Sequence, residues 1–214
     1  RKALAFAIDR GFLVAGALKN HYRPAQGMVS PEFHFNMTKL YRPEDAKKLW
    51  EKNNAEKPSQ IILMYVNREK NCAIAQNLRQ QWQNLLNINI QLEAVDKKTY
   101  FVRLLKGQYQ IALGSWLADF WDPINFLEIF KSNNCAMNNT FWENAHYTAL
   151  LDEAMLESAD RFSLLNQAQD LLLAEMPVIP LTHTVMSFLK SKRIKGEYFS
   201  PNGQIDFKWA YIED

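Results

Sequence analysis

Ile61-Ile62-Leu63-Met64-Tyr65-Val66 is the stretch that decides the fold. It is a short apolar run with polar residues on both sides, and it has the length of a buried strand. Downstream, residues 69–86 place Ile74, Leu78, Trp82 and Leu85 on one helical face. Residues 88–95 then alternate through Ile88, Ile90 and Leu92 with the period of a strand. Strand, helix and strand with short connections make a βαβ unit, so these strands run parallel. A second helix over about 96–106 ends at Gly107, a residue suited to the left-handed position after a helix. Tyr109 to Trp116 reads as a third strand. The centre of the chain is therefore an α/β layer.

Upstream, residues 1–19 read as one amphipathic helix carrying Leu4, Ile8, Phe12 and Ala15. Tyr22 to Pro31 reads as an irregular, Pro-containing loop. Pro43 opens a helix with Glu44 and Asp45 in its first turn, turns Leu49 and Trp50 inward and stops around Asn53-Asn54. Beyond Pro123 the pattern changes. A short helix runs to about Phe130, and a polar loop, Lys131 to Thr140, holds Asn133, Asn134, Asn138 and Asn139. A helix over 145–157 buries Tyr147, Leu150, Leu151, Ala154 and Met155. Asp160 caps a further helix presenting Leu164, Leu165, Ala168, Leu171 and Leu172, which Met176-Pro177 ends. Val178 to Leu189 is extended, and the tail to Asp214 is strand-like with turns at Pro201 and Gly203.

Composition narrows the functions. With 214 residues, 48% hydrophobic and 22% charged, the chain is globular and long enough to bury about 70% of its unfolded surface. Only 7 residues are Gly, under half the usual ~7%, which disfavours a phosphate-cradling loop. A net charge of +2 does not predict a nucleic-acid partner. No apolar run reaches the ~18–20 residues of a membrane span. The chain opens at Arg1 inside a helical pattern and reads as a segment of a longer protein. Cys72 and Cys135 match no metal spacing; pairing and burial as thiols are both open. The nucleophile elbow, phosphate loop, dinucleotide and zinc-protease motifs are all missing, so no catalytic residue, metal or cofactor is expected. His21, His34, His146 and His183 are scattered, and a lone histidine is more often an ordinary polar residue than a ligand.

The informative segment is Gly114-Ser115-Trp116-Leu117-Ala118-Asp119-Phe120-Trp121-Asp122-Pro123. It follows the carboxyl end of a parallel strand, where open α/β sheets bind ligands. Asp122 before Pro123 fits a helix cap. Asp119 has no such explanation. A carboxylate between aromatic walls suits an ammonium group, whose hydrogen bond gains strength from the charges.

With Trp116-Leu117-Ala118-Asp119-Phe120 in view, the chain resembles the extracytoplasmic peptide-binding proteins of ABC importers, whose element reads Trp-x-Ala-Asp-Tyr. Arg1-Lys2-Ala3-Leu4-Ala5-Phe6-Ala7-Ile8-Asp9-Arg10 resembles the helix that opens the family's second lobe. Pro24-Ala25-Gln26-Gly27, Tyr41 to Leu49, Ile74-Ala75 with Trp82, Ile88-Asn89-Ile90, Pro177 to Leu181 and Gly203 to Ala210 match as well. The resemblance covers essentially the whole chain, in order, and is nearest to the oligopeptide-binding branch.

The resemblance implies one lobe of a two-lobed, type II periplasmic-binding-protein-like fold, α/β with a mixed sheet flanked by helices. Residues 1–190 would be the second ligand-binding lobe, and 191–214 a tail that returns toward the missing first lobe. It implies a short peptide ligand, permease partners in the membrane, and a periplasmic or extracytoplasmic location with a lipid anchor as one option. Asp119 would hold the peptide ammonium and Trp116 would wall the cleft. Asn138 would be a polar pocket residue, and Tyr100, Phe101 and Lys97 would line a side-chain pocket. Leu113 stands where some members carry an arginine facing the peptide carboxylate, and Asn71 replaces another basic position. Thr182-His183-Thr184 replaces a pair of consecutive tyrosines. The ammonium anchor is thus kept and carboxylate partners are lost, with Lys97 as a substitute cation and His183 as a source of pH sensitivity.

Rival readings are an enzyme pairing Asp119 with Asp122, the sensory domain of a transcription regulator, and the same lobe holding a nickel chelate, haem or dipeptide. Only the first is catalytic, and it lacks an accompanying nucleophile, base or metal set.

Overall fold

A computed structural model describes residues 1–214 apart from 53–57, 59, 134, 157–159, 201–202 and 214. The elements in chain order are α1 (Lys2–Phe6), α2 (Arg10–Ala17), β1 (Tyr22–Pro24), α3 (Pro43–Lys52), β2 (Ile61–Val66), α4 (Glu69–Leu86), β3 (Ile90–Val95), α5 (Lys97–Leu105), β4 (Ile111–Leu113), α6 (Ile124–Leu127), α7 (Ala145–Met155), α8 (Arg161–Glu175), β5 (Thr182–Thr184), β6 (Ile194–Lys195), β7 (Tyr198–Phe199), β8 (Ile205–Asp206) and β9 (Tyr211–Ile212). The proposed stop at Asn53-Asn54, Asn134, the last residue of the 145–157 helix, the Pro201 turn and Asp214 lie outside the described residues.

The central α/β layer forms as the sequence predicts. Strands β2, β3 and β4 make a parallel sheet in the order β3-β2-β4, with Val66 opposite Val95 and Tyr65 opposite Leu113. Antiparallel pairing occurs too, in three separate ribbons: β1 with β5, β6 with β9, and β7 with β8. The chain leaves β2 toward one side of the sheet for β3 and then crosses to the other side for β4. In open α/β sheets, ligands bind outside the carboxyl ends of the strands at such a reversal. The third strand is shorter than the 109–116 run suggests, because pairing with β2 covers only Ile111 to Leu113.

Two hydrophobic cores hold the chain. The first gathers α1, α2, α4 and the sheet around Ile8, Leu13, Leu63, Tyr65 and Trp82, with Leu49 and Trp50 of α3 packed against it. Trp82, 1% exposed, also donates its indole N–H to the Leu4 carbonyl at 2.9 Å, tying α4 to α1. The second core gathers α6, α7 and α8 around Leu127, Tyr147, Leu151, Leu165 and Leu172. Cys72 and Cys135 are both free thiols.

The opening helix differs from expectation. It breaks at Ala7-Ile8-Asp9, where Asp9 turns extended and its carboxylate caps α2 by accepting from the Phe12 N–H at 2.9 Å. The Arg10 guanidinium donates to the Ile8 carbonyl at 3.0 Å, to Ala5 at 3.4 Å and to Pro180 at 2.7 Å. It thereby ties the break after α1 to the chain just before β5. Burial pulls the Arg10 pKa down to about 10, with Asp9 opposing. After the break Leu13, Val14 and Leu18 face the core, while Phe12 and Ala15 turn to solvent.

Three further expectations change. Tyr22-Arg23-Pro24, read as loop, is a strand, paired antiparallel with Thr182-His183-Thr184. Met155 ends α7 exposed rather than buried. Asp160 precedes α8 without a side-chain cap bond, because its backbone (φ −100°, ψ 13°) is not the extended form from which a cap reaches inward. The end of α8 is as expected: Met176, before Pro177, takes the left-handed conformation (φ 54°) and its N–H bonds the Leu172 carbonyl at 2.8 Å.

Candidate functional site

The loop after β4 is built around a residue that the sequence analysis passed over. Asn125, at the start of α6, is 2% exposed. Its side-chain oxygen accepts from the Asp119 backbone N–H at 3.1 Å and lies 3.3 Å from the Trp116 indole nitrogen, which also donates to the Asn125 carbonyl at 2.9 Å. Its amide nitrogen donates to Glu128 at 3.2 Å. One buried side chain thus fixes the two residues singled out for ligand contact. Its only sequence trace was an Asn two residues after Pro123, and its partners become neighbours only when the loop closes.

Trp116 is half-buried against the second core. Asp119 is exposed, and its carboxylate has no hydrogen bond or ion pair among the described residues. Asp122 differs. Its carboxylate accepts from the Ile124 N–H at 2.9 Å and pairs with Arg161 at 2.8 Å. One acid caps and cross-links the loop, while the other has no such bond among the described residues.

The neighbouring strands supply the rest. Leu113, the last residue of β4, is half-buried, and its carbonyl accepts from the Tyr100 hydroxyl at 3.0 Å. Burial, with Tyr109 adding to it, pushes the Tyr100 pKa up to about 12, so the phenol stays a proton donor. Phe101 is half-exposed and meets the Tyr100 ring edge-on at 5.4 Å. Lys97 is exposed in the first turn of α5, two residues past the end of β3. These residues and the Asp119 loop share the carboxyl end of the sheet.

Two further expected site residues have their hydrogen bonds or strand pairing elsewhere among the described residues. Asn138 is 3% exposed, and its amide is committed to its own loop. It donates to the carbonyls of Ser132 at 3.1 Å and Trp142 at 2.8 Å and accepts from the Thr140 hydroxyl at 2.7 Å. It is a strut of the 131–142 loop. His183 sits on the β1–β5 ribbon opposite Arg23. Burial pushes its pKa below the ordinary histidine value; Glu32 opposes this and Arg23 adds to it.

Removing the Asn125 side chain tests the scaffold. Asn125→Ala leaves the Asp119 N–H without its acceptor and weakens the hold on the Trp116 indole. The expected cost is about 1–3 kcal/mol of stability, read by urea unfolding. An unchanged midpoint would contradict the assigned role.

Among the described residues, no cluster of His, Cys, Asp and Glu could hold a metal, and no helix is long and apolar enough to cross a membrane. Residues 1–138 match the model of the bacterial extracellular solute-binding proteins, family 5 Middle. The chain is 34% identical over 226 residues to the dipeptide-binding protein DppE of Bacillus subtilis, covering 98% of this chain and 41% of that protein. It is 30% identical over 228 residues to the oligopeptide-binding protein OppA of the same organism, covering 100% of this chain and 42% of the relative. The structure of the pheromone receptor PrgZ, solved for its mode of peptide binding, superposes with a TM-score of 0.81 at 27% identity, over 100% of this chain and 44% of the receptor. The chain thus spans about two fifths of the length of the curated relatives it matches. Resemblance in sequence, the α/β fold and the matched family model agree: the chain belongs to the bacterial extracellular solute-binding proteins, family 5.

Proposed function

We propose that this chain is the second lobe of a receptor that captures short peptides outside the cytoplasm for import by an ABC transporter, and that it carries out no catalysis. The observation that carries the reading is the Asp119 carboxylate, without a partner among the described residues, on a loop past β4 whose Asp119 N–H and Trp116 indole both bond to Asn125. Asp119 pairs with the peptide ammonium and Trp116 walls the cleft. Among the described residues β4 pairs with β2 on one side only. An extended peptide adds there as a strand, and main-chain hydrogen bonds then give affinity without reading side chains. Tyr100, Phe101, Leu113 and Lys97 border the side-chain positions, and Asn138 acts through its loop.

Residues 1–190 form the lobe, with β5 next to the crossover to the first lobe. Residues 191–214 return to that lobe. The apolar faces that the tail leaves exposed support this reading: Phe207 is 60% and Trp209 74% exposed. Permease subunits are the further partners. Calorimetry on the full-length protein tests the ligand class, comparing trialanine with haem and with a nickel chelate. Heat from trialanine alone is expected. Saturable binding of haem or nickel with trialanine silent would overturn the reading.

A further inference from the structure

The 3-10 turn Pro31–Phe33 touches two parts of the molecule at once. On one side, Glu32 pairs with Arg23 at 3.2 Å, and Arg23 stands opposite His183 in the β1–β5 ribbon. On the other side, Phe33 lies against Trp121 with ring centroids 4.4 Å apart, and against Phe126 at 6.4 Å. Trp121 is two residues beyond Asp119 and adjoins Asp122, which is locked to Arg161. The turn itself is tightly closed. Phe33 N–H donates to the Ser30 carbonyl at 3.1 Å, His34 N–H donates to Pro31 at 3.0 Å, and the Ser30 hydroxyl donates to the Glu32 carboxylate. A displacement at Glu32 is therefore carried to Phe33, one residue away in a closed turn.

We propose that this turn couples the β1–β5 ribbon to the Asp119 loop, with Glu32 and Phe33 as positioning residues and His183 as the proton-sensitive member. Only its consequence for ligand affinity rests on the peptide-receptor reading. Arg23 of β1 and Glu32 of the turn are the charged groups that act on His183. Lys70 of α4 reaches the same ribbon one position away, at the Tyr22 hydroxyl, 3.2 Å. Burial and Arg23 both favour the neutral imidazole. Protonation sets a second cation beside Arg23, and the two compete for the one Glu32 carboxylate. The turn shifts, and Phe33 moves against Trp121. The sign follows from the lowered pKa. The neutral arrangement is intact above the ordinary histidine value and is lost as pH falls through the lower value of the folded state. Acid therefore loosens the ribbon and weakens ligand capture.

The test begins without ligand. The indole N–H resonance of Trp121, assigned with Trp121→Phe, is followed from about pH 7.5 to about pH 5. It is expected to shift with the same midpoint as the His183 imidazole and to stay flat in His183→Asn. In Phe33→Leu the imidazole still titrates while the indole stays flat. A flat indole in the unmodified protein, or an unchanged titration in His183→Asn, would overturn the coupling. The second arm measures trialanine affinity of the full-length protein at about pH 7 and about pH 5.5. A fall of at most about tenfold per pH unit is expected, since one proton is linked, and it disappears in His183→Asn. A fall that persists in His183→Asn would overturn the link to affinity. Absence of trialanine binding at both pH values would count against the peptide-receptor reading, and the indole titration would still decide the coupling.

Discussion

Replacing Asp119 with Asn is expected to cost a peptide with a free amino end about 1.5–3 kcal/mol of binding, roughly 10- to 150-fold in Kd. The substitution keeps the size of the side chain and an acceptor oxygen and removes only the charge. Hydrogen bonds to charged groups are roughly twice as strong as neutral ones. Stability should hardly change, because Asp119 is exposed and its carboxylate has no partner among the described residues. The loop itself is held through the Asp119 backbone N–H and the Trp116 indole, both of which the variant keeps. Calorimetry and a thermal melt on the same preparation separate the two effects. A loss of affinity matched by a loss of folding would point to a scaffold role instead.

Trp82→Ala is expected to cost about 3–5 kcal/mol of folding stability, the range for removing a large buried aromatic. Trp82 lies in the middle of the first core and is its largest fully buried side chain. The variant also strips the Leu4 carbonyl of its indole donor, and α1 is only five residues long and depends on such contacts. Domain stabilities of about 5–15 kcal/mol make this a large fraction of the whole. Urea unfolding reads the loss as a lower midpoint. A shift worth under about 1 kcal/mol would mean that α4 does not organise this core.

The central layer was legible because its elements are local and periodic. Ile61 to Val66 and residues 69–86 coincide with β2 and α4 to the residue. The β1–β5 ribbon was not legible. Tyr-Arg-Pro and Thr-His-Thr carry no apolar alternation, and the strands are three residues long and pair across the length of the chain. The break at Ala7–Asp9 was hidden because Leu4, Ile8 and Phe12 keep helical spacing through it. What breaks the helix there is Asp9 capping and Arg10 bonding to Pro180, a contact that the spacing does not encode. At the site, the residue chemistry and the resemblance both picked out Trp116 and Asp119, and both lie on the one loop past β4. Asn125, which holds both, was invisible because its hydrogen bonds exist only in the closed loop. The resemblance gave Asn138 as a polar pocket residue, and in the structure its amide bonds to the Ser132 and Trp142 carbonyls of its own loop.

The central claim is that the Asp119 carboxylate meets a peptide ammonium. A cycle of four calorimetric titrations on the full-length protein tests it directly: trialanine and N-acetyl-trialanine, each against the unmodified protein and Asp119→Asn. Acetylation removes the ammonium and leaves the rest of the peptide. The expected result is that acetylation weakens binding to the unmodified protein by about 1.5–3 kcal/mol and has little further effect in Asp119→Asn. If acetylation costs the same in both proteins, the ammonium is held elsewhere and the account of this site is contradicted.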